Sequence, residues 1–208
     1  TRTGAAASNS NITFDAAEMA GNGAVVVNDF FVNETHDNLV LQGPLPGTRT
    51  AYTVYFLGYF SPGRNGSLED GSGQYVYSYG VDGADGTQLD FQIDDGNAEL
   101  FGGSGTQFVG DISANNGQYT VYRIDSGGGT GADCAVYADG ALVGSGVNGA
   151  NYNVSGDLIL FGYQNSSGVS GGFNFVGNIG ELLIYDGILK PGDTAAVEAY
   201  LAGRVIPE

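Results

Sequence analysis

The chain has 208 residues and sets 23 acidic side chains against six basic ones, for a formal net charge of −17. So few cations cannot neutralise phosphates, which excludes nucleic acid as a partner, and an anionic membrane surface repels the chain too. The single cysteine can build neither an intrachain disulfide nor a structural zinc site. The apolar runs, such as 182–184, fall far short of the roughly 20 residues that span a bilayer, so no membrane insertion is expected.

Glycine makes up 37 of the 208 residues, where about 7% is usual, and it has no collagen-like period. Hydrophobic residues reach 42%, with 13 Tyr and 11 Phe, enough to build a core rather than a disordered acidic tail. Abundant Gly, Asn, Asp, Ser and Tyr describe short strands joined by tight turns. High acidity suits a secreted protein that must stay in solution. The chain opens on Thr1 with no signal peptide, so a processed, extracellular or surface protein is expected.

In chain order, residues 1–15 predict an N-terminal arm, of which 1–13 are small and polar. Residues 16–208 predict one sandwich domain. Strands are expected at 24–32 and 37–42, followed by a Gly/Pro loop. Tyr52–Phe60 is apolar or aromatic on both faces, the mark of a central strand buried on two sides. In 75–79, Tyr75, Tyr77 and Tyr79 alternate with Val76 and Ser78, so three tyrosines line one face. Residues 88–93 alternate, and Leu100, Phe101, Phe108 and Val109 fall on the next hairpin. Another strand is expected at 118–124. The Asp139-Gly140 pair between 134–138 and 141–143 signals a two-residue hairpin. The last strands are 157–163 and 179–185. Ala196, Val197, Tyr200 and Leu201 recur at helical spacing, so 192–202 predicts a helix with Asp193 as its cap. Strands 8–15 residues apart with one terminal helix predict an all-β, two-sheet antiparallel β-sandwich.

The stretch 173–202 resembles the C-terminal signature of laminin-G-like, concanavalin-A-like jelly rolls. Its matching positions are Gly177, Ile179, Glu181, Leu183, Tyr185 and Asp186 on the strand, and Glu198, Tyr200 and Leu201 on the helix. Residues 52–60 and the hairpin 134–143 are similar to upstream elements of that family. The resemblance implies the fold more than a function, since lectins, adhesins, carbohydrate-binding modules and some hydrolases share it. The end, Gly203-Arg204-Val205-Ile206-Pro207-Glu208, resembles the start of a bacterial Pro-Glu-Pro sorting tail without its apolar helix and basic end.

Jelly-roll glucanases carry Glu-x-Asp-x-x-Glu on one strand, and retaining chemistry needs carboxylates about 5 Å apart. This chain has no such motif. Glu181 and Asp186 lie five residues apart and so point to opposite strand faces, and Asp90 and Asp94 flank a turn. His36, the sole histidine, sits in a polar turn, and Cys134 lies in an apolar strand as an inert core residue. No catalytic residue is assigned. Hard oxygen ligands for calcium gather at Asp82, Asp85, Asp90, Asp94 and Asp95, with Asn97 close by. The competing explanation is that Asp-Gly pairs are turn chemistry. The tyrosine row could stack on sugar rings or pack across strands inside the sandwich. Five sequons, at Asn11, Asn33, Asn65, Asn153 and Asn165, exceed what sixteen asparagines at this Ser/Thr content produce by chance.

Two functions fit. One is a non-catalytic extracellular structural protein that assembles with copies of itself, its arm held by a neighbour's sheet edge. The other is a lectin-like module that binds extracellular polysaccharide. The first is placed ahead, because the arm needs something to hold it and the carboxylate motif is missing.

Overall fold

The computed structural model describes residues 5–7, 12–15, 24–28, 38–41, 51–60, 74–79, 89–94, 97–102, 105–127, 133–147, 158–160, 163–165, 168–170 and 176–204. Its strands are β1 (Ala5–Ala7), β2 (Ile12–Asp15), β3 (Ala24–Asn28), β4 (Asn38–Leu41), β5 (Tyr52–Phe60), β6 (Gln74–Tyr79), β7 (Leu89–Asp94), β8 (Asn97–Gly102), β9 (Gly105–Asp111), β10 (Tyr119–Ser126), β11 (Asp133–Ala138), β12 (Ala141–Val147), β13 (Leu158–Leu160), β14 (Tyr163–Asn165), β15 (Gly168–Ser170) and β16 (Val176–Asp186). The helix α1 (Pro191–Ala202) closes the described chain. One sheet runs β1-β4-β13-β6-β7-β8-β9 and the other β12-β11-β10-β5-β16-β3-β2, while β14 and β15 pair with each other. The described pairings are antiparallel. The molecule is a two-sheet antiparallel β-sandwich of jelly-roll type with one short C-terminal helix, as the residue pattern predicts.

Strand β5 explains the architecture. Tyr52, Val54, Phe56 and Phe60 turn into the sandwich, while Tyr55 and Leu57 turn outward beneath Leu201 of α1. That is why a nine-residue strand needs apolar side chains on both faces: one meets the opposite sheet, the other a helix. Inside, Phe56 stacks on Tyr122 with centroids 4.9 Å apart and tilts against Phe91 of the opposite sheet at 5.5 Å. Phe91 in turn stacks on Tyr77 at 5.9 Å. Such a run of rings ties the sheets together, each pair adding about 0.5–1.5 kcal/mol beyond area burial.

Bulges reset the alternation at several places, two of which decide what enters the core. On β6, Tyr75 opposes Gln92 and Tyr77 opposes Phe91, which leaves Val76 as an extra residue. Val76 and Tyr77 are therefore both fully buried in the core, although they are neighbours. The predicted single row of Tyr75, Tyr77 and Tyr79 is interrupted there. On β16 the register shifts between Ile179 and Glu181. Ile179, Leu182 and Ile184 serve the sandwich core, while Leu183 and Tyr185 pack beneath the helix.

The sequence and the structure differ at both ends. The helix begins at Pro191, with Lys190 at the N-cap making no side-chain capping bond, and Asp193 lies in the first turn instead of capping it. Proline suits that first position because its φ is preset and its missing N–H has no partner to lose. Asp193 still favours the positive end of the helix dipole. At the other end, residues predicted as an arm form two strands of the chain's own sheets. β1 pairs with β4 and β2 with β3. Likewise the stretch 157–163, expected as one strand, provides β13 and the first residue of β14.

Candidate functional site

The outer face of the second sheet is built by the residues of β10 and β11 that alternate with core residues. Tyr122 and Ile124 point into the sandwich, as do Val136 and Ala138. The intervening Val121, Arg123, Asp125, Ala135 and Tyr137 face the other way. Val121 joins Tyr55, Leu57 and Leu201 beneath α1, with Leu183, Tyr185, Leu189 and Val197 around them. Beyond the helix that apolar cover stops, and a polar cluster begins.

Arg123 is its centre. Nη1 donates to Glu198 Oε1 of the helix at 2.6 Å, and Nε lies 3.2 Å from Asp125 Oδ2. The guanidinium carbon sits 3.5 Å from the centroid of the Tyr137 ring. Thr53 Oγ1 lies 3.0 Å from Asp125 Oδ1 and 3.2 Å from the Gly187 carbonyl, and its one proton serves either acceptor. Burial works against the charged form of Arg123, but Asp125, Tyr55, Tyr137 and Glu198 outweigh it and hold its pKa above the ordinary value. Asp125 shifts in the unfavourable sense. Burial raises its pKa more than Arg123 and Thr53 lower it. At the helix's far end, Tyr200 donates its hydroxyl proton to Glu181 Oε1 at 2.9 Å.

The Asp139-Gly140 turn fixes the neighbouring hairpin. Both residues have positive φ, +48° and +76°, the pairing that a two-residue turn joining twisted strands requires. Asp139 Oδ1 also accepts the Val121 amide at 2.9 Å, and its own amide donates to the Val121 carbonyl. The hairpin thereby locks onto β10. On β12, the bulge at Val143 leaves Leu142 facing solvent, 58% exposed.

Two adjoining basins result. The larger, about 740 Å³, is walled by Asp125, Ala135, Tyr137, Leu142, Ser145 and Ile188. The smaller, about 370 Å³, lies between Arg123, Asp125 and Tyr137 on the sheet and Pro191, Thr194 and Glu198 on the helix. Asp125 and Tyr137 line both, so the basins form one open groove beside the helix. Its chemistry is an aromatic ring, two exposed aliphatic side chains and carboxylate oxygens with lone pairs to spare. Such a set can accept hydrogen bonds from hydroxyl groups and cover an apolar ring face.

The structure describes only some of the residues singled out from sequence. Tyr77 is fully buried against Phe91, so it presents no face to a sugar; the side chains of Tyr75 and Tyr79 lie outside the described part. Asp90 and Asp94 are on β7, opposite Ser78 and Asn97, with their side chains likewise outside it. Asp82, Asp85 and Asp95, and the sequon residues Asn11, Asn33, Asn65 and Asn153, lie outside the described residues, as do His36 and the Pro207-Glu208 end. Asn165 is on β14, opposite Gly168. Among the described residues no group of three or more His, Cys, Asp or Glu side chains gathers as a metal site. No described helix is long and apolar enough to cross a membrane. Cys134 is buried, with its sulfur 3.6 Å from Ser126 Oγ. Sequence reasoning missed Arg123, Asp125, Tyr137, Leu142, Ile188 and Glu198. The available signal was a pair of opposite charges, Arg123 and Asp125, alternating with apolar residues in 121–125.

No protein-family model matches the chain, and no curated protein matches it in sequence. Solved structures share the fold. Domain 4 of AbnA, a GH43 extracellular arabinanase from Geobacillus stearothermophilus, in complex with arabinotriose, is 18% identical. It has a TM-score of 0.63 over 98% of this chain and 88% of that one. The receptor binding domain of botulinum neurotoxin D has a TM-score of 0.63 at 12% identity, over 96% of this chain and 48% of that one. A ligand binding domain of the same serotype, in complex with N-acetylneuraminic acid, has a TM-score of 0.61 at 12% identity, over 96% and 46%. The chain thus spans just under half of those toxin domains.

Proposed function

We propose that this chain is a non-catalytic, lectin-like module that binds carbohydrate outside the cell through the groove beside α1. The observation that carries this is the groove itself, where Tyr137, Leu142 and Ile188 border carboxylate acceptors on a face the helix leaves open. Support comes from the structural neighbours, one of them an arabinanase domain in complex with arabinotriose and another a toxin domain in complex with N-acetylneuraminic acid. Self-assembly, ranked first from sequence, loses its ground because the arm's two strands sit in the chain's own sheets. The order of the two readings is therefore reversed.

A glycan array followed by titration calorimetry tests the module. Tyr137→Ala should weaken binding to the selected glycan on the order of tenfold, about 1.4 kcal/mol, with the circular dichroism spectrum unchanged. Undiminished affinity in that variant moves the site away from the groove. Calcium held around residues 82–97 is a separate proposal. A ligand bound only to the native state raises the melting temperature, so chelator insensitivity would remove it.

A further inference from the structure

The groove carries information about the charge of its ligand, and we infer that it selects uncharged glycans and rejects those bearing carboxylates. This rests on the carbohydrate-binding reading above and narrows it.

Among the described residues, Arg123 is the only cation that lines either basin. It is already engaged on three sides, by Asp125, Glu198 and the Tyr137 ring. Its side chain is 10% exposed. Two carboxylates against one guanidinium leave the described part of the lining with a net charge of −1. An incoming carboxylate would have to displace a 2.6 Å charge-assisted bond to reach the guanidinium. The helix N-terminus borders the smaller basin and could attract an anion, but Pro191 offers no amide proton there and Asp193 occupies the first turn. Lys190 is exposed beside it, with Asp193 three residues away and Asp186 four residues away along the chain. The whole chain adds a field of −17. A neutral sugar meets none of these costs: its hydroxyls donate to Asp125 and its apolar face covers Leu142 and Ile188.

Titration of the full chain with matched ligands tests this. Suitable pairs are lactose against sialyllactose, and xylo-oligosaccharides against the same with a glucuronic acid branch; arabinotriose is a further neutral probe. The neutral member of a pair should bind at least about tenfold more tightly at low salt, and the gap should shrink as salt screens the repulsion. Ser145 is exposed on the groove wall, so Ser145→Arg should fold as the parent does and narrow the gap by supplying a free cation. Equal or tighter binding of the acidic members overturns the inference while leaving a lectin, and so does a gap that Ser145→Arg leaves unchanged. Failure of every neutral and acidic glycan to bind sinks the carbohydrate-binding reading instead, and this inference with it.

Discussion

The outer face of the second sheet has two halves, one on β5, β10 and β16 and the other on β11 and β12. Under α1, Tyr55, Leu57 and Val121 are buried against Leu201, and Tyr55 meets Tyr185 edge-on at 6.1 Å. One and two strands further out, Tyr137 and Leu142 line the open groove. Both halves present the residues that alternate with the core, with a bulge at Val143 on the open side; what differs most is whether a helix lies above. The covered half is stabilised by removing apolar surface from water, whereas the open half keeps its apolar and polar groups available to a ligand. Arg123 stands on the boundary, reaching the helix with Nη1 and the open strand with its stacked guanidinium.

Substitutions on either side should separate the two roles. The largest effect is expected from Leu201→Ala, which empties a fully buried site and should cost about 3 kcal/mol in urea unfolding, with glycan affinity below the transition nearly unchanged. Arg123→Met comes next. It strands Asp125 and Glu198 without their cation, and because both are partly exposed the loss should be about 2 kcal/mol, less than for a fully buried pair. It should also weaken glycan binding, because Tyr137 loses its support. Leu142→Ala should change stability by less than about 0.5 kcal/mol and yet lower glycan affinity several-fold. If Leu142→Ala destabilises the fold as Leu201→Ala does, the two halves are not distinct.

The covered half was legible in the sequence and the open half was not. Tyr52–Phe60 announced burial on both faces, and the helical spacing of Val197 and Leu201 supplied the cover. Asp139-Gly140 announced the hairpin because few other pairs tolerate two positive φ angles in succession. The bulges at Val76 and Gly180 left no mark, since one extra residue changes neither composition nor hydrophobicity. That silence hid where the tyrosine row breaks, with Tyr77 beside Val76 in the core. The groove was hidden for a different reason. Arg123 finds Glu198 75 positions away, and Asp125 finds Thr53 72 positions away. No local period reports such meetings.

The smallest effect concerns Asp125 and asks which force governs the boundary. Burial lifts its pKa above the ordinary 3.8, with Arg123 and Thr53 only partly opposing. A carboxyl whose folded pKa exceeds its unfolded value holds its proton more tightly when folded. Its contribution to stability is therefore full below the unfolded value and is lost as pH rises through the folded one. Asp125→Asn cannot titrate. The melting-temperature difference between this variant and the parent should move in the variant's favour as pH rises from about 3 to about 6. A drift in the opposite direction would mean that the guanidinium outweighs burial. Asp125 would then be a strut holding the two halves together, rather than a desolvated acceptor kept in place for a ligand's hydroxyl groups.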